Sequence, residues 1–162
     1  MLFRSEPGTS TGSLEVASAN LQAGSTLDIE LGGTGFDLNV TEEYDRLKVT
    51  TGTATLAGDL TVALVNPFTL GSDQRFGIVN AAGTGGRSGT FSNYAEGATI
   101  LTNNGYDLKI TYAGSVTDTT VAQFGGSDVV LYTVAVPEPG TIGLLLVCLS
   151  LLALAWRRRK QP

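Results

Sequence analysis

Acidic side chains carry most of the chemical potential of this 162-residue chain, because so much else is missing. Histidine is absent and cysteine occurs once. A Ser-His-Asp triad, a Cys-His dyad, a His-ligated zinc site and an internal disulfide are therefore excluded. Carboxylates remain. A glycosidase needs two of them about 5 to 10 Å apart. Asp28 and Glu30 would share the wet face of one predicted strand, with Cβ atoms roughly 7 Å apart. Glu42, Glu43 and Asp45 form a second group. In a Thr-rich domain without histidine, acids in such numbers serve solubility and edge protection. The expectation is a chain that is not an enzyme and carries no cofactor.

Two glycine-rich runs invite a ligand. Gly32 to Val40 reads GGTGFDLNV and begins like the calcium nonapeptide G-G-x-G-x-D-x-U-x, which would make Asp37 a weak calcium candidate. It departs at Asn39, where a large apolar residue belongs, and it occurs once, so a turn without metal is expected. Gly83 to Gly89 reads GTGGRSG, lacks the Lys-Ser/Thr of a phosphate loop and precedes no helix, so it too reads as a turn. Asn39-Val40-Thr41 is a formal glycosylation triplet with no assigned role. Tyr44, Tyr94, Tyr106 and Tyr112 could stack on sugar rings of an extracellular polysaccharide, although core edges and cross-strand pairs are the commoner use.

The charge is unevenly placed. The net charge is −5 and the isoelectric point about 4.6, which excludes a nucleic-acid partner. Residues 1–136 hold 14 acids and 6 bases, whereas residues 137–162 hold Glu138 against Arg157, Arg158, Arg159 and Lys160. An acidic body thus ends in a basic tail. Just before the basic cluster lie Ile142, Leu144, Leu145, Leu146, Val147, Leu149, Leu151, Leu152, Leu154 and Trp156, interrupted only by small residues, Cys148 and Ser150. As a helix, the uncharged stretch from Gly140 spans roughly 25 Å, near the lower limit for a bilayer core of about 30 Å. A single transmembrane helix is expected, with Trp156 at the interface and the four cations on the cytoplasmic side as a stop-transfer cluster. Cys148 lies in apolar surroundings, where packing is the expected role.

Upstream of that span stands Val136-Pro137-Glu138-Pro139-Gly140-Thr141. Two prolines fix φ and remove amide donors, so the peptide should be stiff and extended. The order of Pro-Glu-Pro, apolar span and Arg-rich end resembles the PEP-CTERM protein-sorting signal of Gram-negative bacteria over residues 136–160. The resemblance implies recognition by exosortase, a membrane-embedded transpeptidase-like protease, with Pro137, Glu138 and Pro139 as the recognition element. It implies a cut near that element. The body would pass transiently through the inner membrane, facing the periplasm, and then reach the cell surface or a biofilm matrix. The N-terminus MLFRSEPGTS has no apolar export region, which leads to the expectation that the chain continues upstream.

The elements that must carry this tail read as strands. Period-2 alternation recurs at Leu14-x-Val16, Leu27-x-Ile29-x-Leu31, Leu47-x-Val49, Leu60-x-Val62-x-Leu64, Phe76-x-Ile78, Leu108-x-Ile110-x-Tyr112 and Val130-x-Tyr132-x-Val134. Between them lie Gly32-Gly33, Gly52, Gly58-Asp59, Gly85-Gly86, Asn104-Gly105 and Gly125-Gly126. The spacing predicts an all-β fold in which each strand has one wet face. Leu14 and Leu47, like Leu27 and Leu60, lie 33 residues apart. That offset fits a β-solenoid (the end piece of a parallel β-helix) or successive hairpins of a β-sandwich. Residues 40–134 are similar to the C-terminal rungs of autotransporter passenger-like β-helix surface proteins, which implies no particular activity. The expected organisation is residues 1–11 unstructured or truncated, 12–135 a β-rich extracellular body and 136–162 the sorting signal. The expected role of the body is structural or adhesive. A polysaccharide-acting enzyme fragment and a permanently anchored envelope protein stand as alternatives.

Overall fold

The structure, a computed structural model, describes the backbone of residues 4–5 and all of residues 11–35, 43–65, 67–117 and 119–137. Within them the chain is all-β, built on a mixed sheet curled into a half-barrel. The predicted transmembrane helix lies outside the described residues.

The strands in chain order are β1 (Arg4–Ser5), β2 (Ser13–Val16), β3 (Ala19–Leu21), β4 (Thr26–Leu31), β5 (Arg46–Val49), β6 (Ala54–Leu56), β7 (Asp59–Leu64), β8 (Arg75–Ala81), β9 (Arg87–Gly89), β10 (Thr99–Asn103), β11 (Tyr106–Val116), β12 (Val121–Ala122) and β13 (Asp128–Ala135). The first nine stack in three parallel ladders, β1-β4-β7, β2-β5-β8 and β3-β6-β9. Consecutive strands therefore lie in different ladders, and every third strand returns to the same one.

Alternation explains the register. In β4 the sequence TLDIEL buries Leu27, Ile29 and Leu31 and leaves Thr26, Asp28 and Glu30 only partly covered. β4 pairs with β7 so that Leu27 faces Leu60, Ile29 faces Val62 and Leu31 faces Leu64. A one-residue slip would drive Asp28 and Glu30 into the core. Each buried leucine contributes about 2 kcal/mol through area removed from water. β2 and β5 match Leu14 with Leu47 and Val16 with Val49. On the opposite face Glu15 meets Lys48 at 3.6 Å.

The 33-residue offset survives a compensated change of corners. Ala19 pairs with Ala54, an offset of 35. Two residues separate β2 from β3 and four separate β5 from β6, whereas four separate β3 from β4 and two separate β6 from β7. The corners are fastened by backbone bonds such as Gly52 N–H to Ala17 C=O at 2.7 Å and Asp59 N–H to Ser25 C=O at 2.8 Å.

After β9 the pairing changes sense. β13 lies antiparallel between β8 and β11, and β10 and β12 pair antiparallel with β11. Phe91, Leu108, Ile110, Tyr112, Val129 and Leu131 join the same core as the stacked leucines. One expected alternation is corrected here. Val130-x-Tyr132-x-Val134 is not the inward set of β13, since Val129 and Leu131 fill the main core and Val134 is exposed. Register shifts between Val129 and Val130 against β8, and between Thr111 and Gly114 on β11, interrupt the period. The expectation that every strand has a wet face also fails for β8, which is buried from Phe76 to Ala81.

Two buried carboxylates lock the curl. Asp45 accepts Gly12 N–H at 2.8 Å and Glu30 N–H at 2.9 Å. Asp128 accepts Ala81 N–H and Val116 N–H, both at 2.7 Å. Each serves two amides from different segments, in a setting where an unpaired amide is costly.

Candidate functional site

The point at which the body hands over to the tail is held by three strands. β13 is an interior strand, with β11 on one side and β8 on the other. Its last residues pair with the start of β11, with Asp107 facing Val134 and Tyr106 facing Ala135. On the β8 side, Thr133 N–H donates to Gln74 C=O at 3.1 Å, and Gln74 N–H donates to Thr133 Oγ1 at 3.0 Å.

One bond carries this pairing past the strand. Val136 N–H donates to Gly105 C=O at 2.9 Å. Gly105 belongs to the β10–β11 turn, where Asn104 and Gly105 have φ of 50° and 77°. Two successive positive φ values suit the tight hairpin turn that Asn-Gly favours. The turn is itself fastened. Asn103 Oδ1 accepts Leu70 N–H at 3.1 Å, and Asn104 Nδ2 donates to Leu70 C=O at 3.0 Å. Pro137 follows, exposed and without an amide hydrogen, so the ladder cannot run further. Val134 and Val136 are also exposed at this exit.

Of the predicted sorting residues, Pro137 is placed. Glu138, Pro139, the apolar residues from Ile142 to Trp156, Cys148 and the basic cluster Arg157 to Lys160 lie outside the described residues. Among the described residues no helix is long and apolar enough to cross a membrane.

The two groups of candidate acids are placed differently. Asp28 and Glu30 do share one face of β4, as their spacing predicts. In the second group, Asp45 is buried on backbone amides, Glu43 Oε2 turns to Gly35 N–H at 2.6 Å, and Glu42 lies outside the described residues. Asp37 and the Asn39 triplet lie outside them too. No group of three acids or cysteines among the described residues could hold a metal.

The Gly83–Gly89 run is a corner leading into β9, and three of its corner amides are engaged. Gly83 N–H donates to Val49 C=O at 3.0 Å, Thr84 N–H to Thr51 C=O at 3.2 Å and Gly86 N–H to Gly83 C=O at 3.0 Å. The tyrosines are turned inward. Tyr44 is buried edge-on to Phe76, with ring centroids 5.4 Å apart, and its hydroxyl accepts Gly77 N–H at 3.3 Å. Tyr112 is buried beside Phe91, while Tyr94 and Tyr106 pack against the core.

Tyr112 is the centre of a polar cluster that sequence reading missed. Its hydroxyl donates to Tyr94 C=O at 2.6 Å and accepts Phe91 N–H at 3.1 Å. Arg87 Cζ lies 5.1 Å from the ring centroid, and Arg87 also donates to Tyr112 C=O at 3.0 Å. Glu96 accepts Tyr112 N–H at 2.7 Å. Burial pushes the phenol above its usual pKa, against the Phe91 bond and the Arg87 charge, with Glu96 adding to the rise. Arg87 and Tyr112 are distant in sequence, so no local signal announced the pair.

A family model described as the PEP-CTERM protein-sorting motif matches residues 135–160, which is 26 of the 162 residues. The match begins on the last residue of β13. The motif implies an exported protein that exosortase recognises and that is sorted to the cell surface. No curated protein and no solved structure matches the chain. The comparisons lend no support to the body's expected likeness to autotransporter passengers.

Proposed function

We propose that this chain is a surface or matrix protein whose β body is a structural or adhesive unit, delivered by its own C-terminal signal. The observation that carries the reading is the sorting motif at residues 135–160, which starts on the last residue of β13 in an all-β body. In this reading Pro137, Glu138 and Pro139 are the recognition element. Residues 142–156 hold the body at the inner membrane until exosortase acts, and Arg157 to Lys160 keep the end of the chain on the cytoplasmic side.

The body reads best as the end piece of a parallel β-helix. Three ladders with strands returning at an offset near 33 residues support this, as does the antiparallel unit that covers β8. Such a stack suits a structural role, because each coil buries its neighbour and the outward positions are free to vary. A non-enzymatic body is favoured by the engagement of two candidate acids, Asp45 on amides and Glu43 on Gly35.

The test replaces Pro137, Glu138 and Pro139 together by alanine in cells that express exosortase. The reading expects the full-length variant to stay in the inner membrane fraction while the unaltered chain reaches the surface. Equal surface delivery of both chains would overturn it.

A further inference from the structure

We propose that the bond cut during sorting lies on the C-terminal side of Pro137, and that the folded body itself sets this limit. The inference rests on the sorting reading above. A protease or transpeptidase binds its substrate extended, so the two residues joined by the scissile bond must be free of other partners. Up to Val136 they are not free. β13 lies between β11 and β8, Thr133 is bonded to Gln74, Tyr106 faces Ala135, and Val136 N–H is held by Gly105 C=O. The holding turn is bound in its turn to Leu70 through Asn103 and Asn104. A cut directly before Pro137 would first require Val136 to leave Gly105, and one further back would peel β13 from β11. Pro137 is exposed and is the first residue without a ladder bond to give. Hydrolysis beyond it adds water across one peptide bond, leaving a carboxylate on the body and an amine on the departing tail. If an amine acceptor replaces water, the acyl group passes to that acceptor and the new amide adds its mass.

The test identifies the last residue of the mature protein from exosortase-competent cells by fragment-ion mass spectrometry of its C-terminal peptide. The expected terminus is Pro137 or a later residue before Ile142. A terminus at Val136 or earlier overturns the inference and leaves the sorting reading intact. A chain that still ends in Lys160-Gln161-Pro162 overturns both. A second measurement is independent of exosortase. The full chain in detergent micelles is treated with a protease of broad specificity, alone and with a short Gly-Ser insertion between Val136 and Pro137. Trimming should stop at or beyond Pro137 in the unaltered chain and beyond Val136 in the inserted one. Trimming into β13 at the same rate as through the insertion contradicts the limit.

Discussion

Asn93 grips both backbone groups of Leu60, accepting its N–H at 3.0 Å and donating to its C=O at 2.8 Å. These are the two bonds that a facing strand residue would make. One side-chain amide thus stands in for the next strand of the β1-β4-β7 ladder and blocks an edge that would otherwise invite pairing.

Replacing Asn93 by leucine should therefore cost about 1 to 2 kcal/mol, the worth of two partly exposed bonds. Urea unfolding of the full chain in micelles, followed by far-ultraviolet circular dichroism, would read the loss. The variant should also associate more readily at equal concentration, because the β7 edge is uncovered. An unchanged midpoint and unchanged association would remove this role from Asn93.

Asp128 is the more severe case, because its carboxylate serves two buried amides, those of Ala81 and Val116. Asp128→Ala strands both donors, at about 1 to 3 kcal/mol each. The midpoint of unfolding should fall further than for Asn93→Leu. A shift within the few tenths typical of surface changes would show that water replaces the carboxylate.

Gly89 and Gly97 separate backbone strain from steric clash. Both have positive φ, 76° and 74°. A Cβ on Gly97 meets nothing within 4 Å, whereas one on Gly89 would sit 2.2 Å from Leu56 C=O. Gly97→Ala should cost about 1 kcal/mol, and Gly89→Ala clearly more, because β9 would have to leave β6. Equal thermal midpoints for the two variants would contradict this account of the β6–β9 contact.

Tyr112 predicts a loss of stability in alkali. Its phenol is raised in the folded chain by burial. Above the unfolded value of about 10 the unfolded chain has released a proton that the folded chain still holds. The unfolded state then binds fewer protons, and stability falls as pH rises. The contribution is complete below pH about 10 and is lost as pH climbs toward the folded value. Tyr112→Phe should be less stable at neutral pH, since Phe91 N–H and Tyr94 C=O lose their partner. The variant should also show a flatter decline in alkali. Parallel curves for the two proteins would exclude Tyr112 as the source.

Much of the stack was legible in the sequence. Leu14 and Leu47, and Leu27 and Leu60, are direct ladder partners, as their 33-residue spacing suggested. The β3-β6-β9 ladder was not legible. Ala19–Leu21, Ala54–Leu56 and Arg87–Gly89 are three residues each, too short to show alternation. β13 was read in the wrong phase because bulges in its partners do not register in its own period. No local signal marks Asp45 or Asp128 as a buried acceptor, since only tertiary folding brings their amide donors to them. The sorting motif could be read because its information is linear: two prolines, an apolar run and a basic end. The bond that holds Val136 could not, since its acceptor Gly105 lies far upstream.

The most direct test of the account is the fate of the tail on protein recovered from the cell surface. Mass spectrometry should find the body peptides without the Lys160-Gln161-Pro162 end in exosortase-competent cells. In cells lacking exosortase, the whole chain should remain in the inner membrane. Surface protein that still carries Lys160-Gln161-Pro162, in equal amount with and without exosortase, would contradict the account.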